Sequence, residues 1–105
     1  MKVSQISQTN FSAGSIYLKN IDSNKLKCYD AIKKMAEDKN IDIFLSKRED
    51  SYYLPTNDMY LIFANMLGGK HSANCELINK KANPDEVSVR LYNLAVDIIE
   101  KVEKS

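Results

Sequence analysis

The segment LGGKHSANCELI, residues 67–78, brings together the only histidine, one of the two cysteines and two of the three glycines in a chain of 105 residues. Residues of these types do chemistry when their spacing lets them meet. A cysteine nucleophile needs a base that holds it as thiolate, and His71 is the one imidazole on offer for Cys75. Four positions apart in an extended chain, the two lie roughly 13 Å from each other at ~3.3 Å per residue. A dyad would require the loop to fold back. The plainer reading makes His71 a solvated turn residue and Cys75 a small hydrophobe packed inward beside Ala73 and Leu77.

A phosphate loop fits no better. It needs a glycine, four spacers and then Gly-Lys-Ser/Thr, so that backbone N–H groups wrap the phosphates. Here Gly69-Lys70 matches, but Ala64 and His71 occupy the other two required places. Zinc takes about four ligands, whereas the chain holds one His and two Cys. The paired carboxylates Glu49-Asp50 and Asp85-Glu86 are neighbours in sequence, which suits turn solvation and helix capping and not convergence across a cleft. No catalytic set, metal or cofactor is therefore expected. Polar contacts to a ligand or partner fall to Lys70, His71 and Asn74 on the 68–76 loop. Tyr52 and Tyr53 join them, because in an extended stretch they point to opposite sides and one must be exposed.

The elements that must hold these residues follow from periodicity. Residues 1–13 are rich in Ser, Gln, Thr and Asn and read as a polar tail ahead of one domain, 14–105. SIYLKNI alternates, with Ile16 and Leu18 on one side and Tyr17 and Lys19 on the other, as a half-buried strand does. Asp22 or Ser23 offers a cap for a helix running to Lys39, whose stripe is Cys28, Tyr29, Ile32, Met35 and Ala36. IDIFLSK alternates again, with Ile41, Ile43 and Leu45 inward. Phe44 breaks its polar side and calls for a cover, either the tail or a partner. NDMYLIFANMLGG satisfies both a strand and a helix ending at Gly68. Its setting among strand patterns favours a strand covered on both faces. SANCELI alternates, and NPDEV opens a last helix, with Asn83 as cap, Pro84 in the first turn and acids at the positive end of the dipole.

That last helix is apolar over about 220° of its circumference. Leu91, Leu94, Ile98 and Val102 suit a core. Val89, Tyr92, Val96 and Ile99 extend the stripe beyond what one sheet face covers, and they are the expected self-association face.

The order β-α-β-β-β-α implies a two-layer α+β domain, with two helices packed on a mostly antiparallel sheet of about four strands. Fifteen basic and fourteen acidic residues leave a net charge of +1, spread evenly over the two halves. Phosphate neutralisation needs a basic excess, so nucleic acid is not an expected partner; the lysines of the first helix are its only foothold. No apolar run approaches the ~20 residues of a membrane helix, and the opening residues lack the apolar core of an export signal. A cytoplasmic chain with reduced cysteines is expected. The favoured function is a binding or interaction module without catalysis, its partner a protein or a second copy. The alternative is a small enzyme or ligand-binding domain using the 68–76 loop.

Overall fold

A computed structural model of the chain describes residues 14–48, 55–66 and 68–104. The expected tail, 1–13, lies outside them, as do Tyr52 and Tyr53. The strands are β1 (Ile16–Lys19), β2 (Ile41–Lys47), β3 (Asn57–Met66) and β4 (His71–Asn79), and the helices are α1 (Tyr29–Lys39) and α2 (Pro84–Lys104). The sheet runs β1-β2-β3-β4. It is mixed. Helix α1 carries the chain back to the end at which β1 began, so β2 lies parallel to β1, whereas the two later pairs are antiparallel. The domain is α+β, in the order read from the sequence.

Both helices pack on one face of the sheet. Ile41, Ile43 and Leu45 of β2 and Tyr60, Ile62 and Ala64 of β3 meet Ile32 and Ala36 of α1 and Leu91, Leu94, Ile98 and Val102 of α2 in one core. The ambiguous run 57–66 is a strand, because only period-two alternation places Tyr60, Ile62 and Ala64 together on that face. The Gly-Gly turn then brings β4 back. Gly68 and Gly69 take φ of 102° and 95°, left-handed backbone that side chains resist, while the Met66 N–H donates to the Lys70 carbonyl at 2.7 Å.

Four expectations change. Asp22 does cap, accepting from the Asn24 N–H at 2.9 Å, but only a 3-10 turn, Ser23–Lys25, follows it. On one continuous helix Leu26 would sit about 120° from Ile32. The break lets Leu26 swing into the core, and α1 begins after Cys28. Second, Ile99 is 4% exposed and belongs to the core, so it cannot serve a self-association face. Sheet and α1 together absorb most of the broad stripe of α2. Val89 (59% exposed) and Tyr92 remain outside, with Val96 half-buried.

The third change concerns β4. Ala73, Cys75 and Leu77 point away from the helices and are exposed, while Ser72, Asn74 and Glu76 lie on the helix side. Register with β3 dictates this: the buried Tyr60, Ile62 and Ala64 are paired with Glu76, Asn74 and Ser72, and paired residues share a face. Fourth, β3 is covered on one face only, since Phe63 is exposed on the other.

Candidate interaction surface

Among the described residues no element packs on the second face of the sheet. The pleat stacks its side chains in rows across the strands. One row reads Tyr17, Phe44, Phe63 and Ala73 from β1 to β4. Tyr17 and Phe44 stack with ring centroids 4.7 Å apart and planes 12° apart. Phe44 and Phe63 are 5.9 Å apart and tilted by 49°. Phe63 in turn lies 5.9 Å from the His71 ring. The rings thus form a ladder from one sheet edge to the other. Beside it, Leu61 and Cys75 form the end of the next row, and Met59 and Leu77 the end of the one after.

These rings are not buried by each other. Tyr17, Phe44, Phe63 and Leu77 remain 49%, 41%, 38% and 43% exposed. Isolated apolar residues on a surface need no account, but a contiguous group rimmed by polar residues marks a binding surface. The rim is Lys19 and Ser46 at one end and Asp42, Asn65 and His71 at the other, placed by the strand registers.

The β4 edge of the sheet is closed to a partner strand where the face is open. Along β4 the Asn74 Oδ1 accepts from the Cys75 N–H at 2.8 Å, and Arg90 of α2 donates to the Leu77 carbonyl at 3.1 Å. Arg90 is fixed in place by Glu76, which it meets at 2.6 and 2.8 Å. Side chains thus occupy the central hydrogen-bonding groups of this edge, a usual protection against edge-to-edge pairing.

The residues of the 68–76 loop do not converge. His71 lies on the open face, with Nδ1 3.1 Å from the Gly69 carbonyl. Asn74 faces the other way and serves the edge. Lys70 is exposed in the turn. Cys75 shares the open face with His71 but two pleats further along β4, ~13 Å by strand rise. No group of three or more metal-ligating side chains occurs among the described residues. The two cysteines are free. Burial raises the Cys28 thiol above its ordinary value of 9.0, partly offset by a hydrogen bond with Ser88.

A second feature lies at the end of the sheet where β1 and β2 finish. There a cavity of about 420 Å³ opens between the sheet and the start of α2, with Tyr60 in its wall. Burial, and then the Asp58 carboxylate, raise the Tyr60 phenol above its ordinary value of 10.0. A shallower hollow of about 390 Å³ lies over Cys28, Val89 and Tyr92, bordered by the Lys27–Asp85 ion pair.

The open face was partly visible in sequence, since Phe44 sits at a polar position of its strand. The cavity was not, because its walls come from four separate stretches. Among the described residues no helix is long and apolar enough to cross a membrane. Comparisons with family models, with curated proteins and with solved structures give no match.

Proposed function

We propose that the protein is a cytoplasmic interaction module without catalytic activity that assembles through the open face of its sheet, and that the occupant of this face is a second copy of the chain. The observation that carries this reading is the exposed ladder Tyr17–Phe44–Phe63–His71. It replaces the outer side of α2 as the favoured surface, since Ile99 is lost to the core and Val89 and Tyr92 make a much smaller patch.

Two properties of the face favour a second copy. The first is area. Strands of four, seven, ten and nine residues, at ~3.3 Å per residue and ~4.8 Å between strands, give a footprint of about 480 Å². Two such faces remove about 950 Å² from water, the size of a weak, concentration-dependent interface. The second is charge. Within the four strands the only charged residues of the face are Lys19 and Asp42, at opposite ends of the same side of the sheet. A two-fold axis along the aromatic row, across the strands, reverses their direction and sets each Lys19 opposite the Asp42 of its partner, offset by one strand spacing of ~4.8 Å across the ~10 Å between packed sheets, a gap the two side chains can span. The ladder itself holds no lysine or arginine, so it lacks what a phosphate backbone requires.

Sedimentation equilibrium tests the reading. A monomer–dimer equilibrium is expected, shifted toward monomer when Tyr17 or Phe63 is replaced by serine. A monomer across the accessible concentration range would overturn it.

A further inference from the structure

We propose that the cavity at the carboxyl ends of β1 and β2 is a binding site for a small organic anion, a compact apolar body bearing an oxyanion head such as a carboxylate. This inference is independent of assembly through the sheet face, which lies on another side of the molecule.

The walls divide by chemistry. Leu26, Val87 and Leu91 give an apolar floor, while Lys25, Lys47 and Tyr60 give polar groups at the rim and wall. At about 420 Å³ the space lies near the lower end of the ~300–1,000 Å³ usual for ligand pockets, which also combine apolar lining with a few polar groups. The decisive group is Tyr60. It is 7% exposed, yet among the described residues its hydroxyl has no hydrogen-bond partner. Its ring is packed in the core, while the residue lines the cavity with a hydroxyl that no described residue takes. A ligand oxygen in the cavity would accept from it. The phenol is held protonated by burial and Asp58, so it remains a donor at neutral pH.

The charge around the cavity favours an anion. Lys80 is paired with Asp58 at 2.8 Å, and the one further carboxylate of the lining, Asp22, is outnumbered by Lys25 and Lys47. Lys25 and Lys47 form no ion pair among the described residues. The 21-residue α2 presents its first turn to the cavity through Pro84, Val87 and Ser88, so the positive end of its dipole adds to these two ammonium groups. A neutral ligand of the same shape would forgo all of this.

The test is an amide-resolved NMR titration of the full chain with phenylpropionate and with its uncharged analogue phenylpropionamide. Saturable shifts at Lys47, Asp58, Lys80 and Val87 are expected with the acid, and binding at least about tenfold weaker with the amide. Tyr60→Phe should weaken the acid about tenfold without lowering the melting temperature, since no described residue pairs with the lost hydroxyl. Lys47→Met, which keeps the apolar stem, should weaken it likewise. The proposal is overturned if no saturable shift appears by about 10 mM, which corresponds to less than ~3 kcal/mol of binding. Shifts centred on Phe44 and Phe63, equal binding of acid and amide, or unchanged binding by both variants would overturn it as well.

Discussion

Replacing Phe44 by alanine should loosen the dimer far more than it loosens the fold. Phe44 is 41% exposed, which leaves about 80 Å² of its ~200 Å² for a partner to cover. A symmetric dimer contains the residue twice, so about 160 Å² leaves water there, worth about 4 kcal/mol at ~25 cal/mol/Å². Alanine retains roughly a quarter of that area, and the net loss is about 3 kcal/mol, or about a hundredfold in the dissociation constant. Within one protomer the same change removes the ring stacked on Tyr17 at 4.7 Å, at a cost of about 1 kcal/mol. The core on the opposite face is untouched. Sedimentation equilibrium of Phe44→Ala beside the parent chain reads the first effect, and thermal unfolding reads the second. A dissociation constant within about threefold of the parent would refute the reasoning. A large change with Val89→Ser/Tyr92→Ser instead would assign the interface to α2.

Other outcomes follow from the same geometry. Lys19→Glu and Asp42→Lys should each weaken the dimer, and the double variant should recover much of it in sedimentation; equal weakening by all three would remove the two-fold axis drawn across the strands. Cys75 is exposed on the open face and Cys28 is half-buried with its thiol raised by burial. A thiol reagent at pH 8 should therefore modify Cys75 first, and more slowly as the protein concentration rises and the dimer covers it. Stability should fall above about pH 9. Cys28 and Tyr60 both have raised values in the folded state, so each contributes stability that is fully present below its unfolded value and is lost as pH rises through its folded one. Urea unfolding across this range should show a shallower fall for Cys28→Ser/Tyr60→Phe.

The sequence was most legible where a residue's neighbours along the chain decide its state. Alternation in 16–19 and 41–47 and the Asn-Pro-Asp-Glu start of α2 fix those elements locally, and the element order follows from them. Facing was harder. Alternation in β4 puts Ala73, Cys75 and Leu77 on one side but does not say which side the helices cover. That depends on register with β3, a pairing between distant residues. The apolar surplus of α2 was real, but how much of it a second helix absorbs is a packing fact, and Ile99 went to the core. Leu26 escaped notice because its burial needs a helix break that composition does not announce. Phe44 was the one sequence signal of the interaction surface. Tyr17 and Phe63 lay beside it only once the strands were paired.

The most direct test of assembly through the sheet is an isotope-filtered NOE experiment on a dimer mixed from labelled and unlabelled protomers. Intermolecular contacts are expected from the ring of Phe44 and Tyr17 to the same aromatic row of the partner, with none from Val89 or Tyr92. Intermolecular contacts confined to Val89, Tyr92 and Val96, with the rings of the sheet silent, would contradict it.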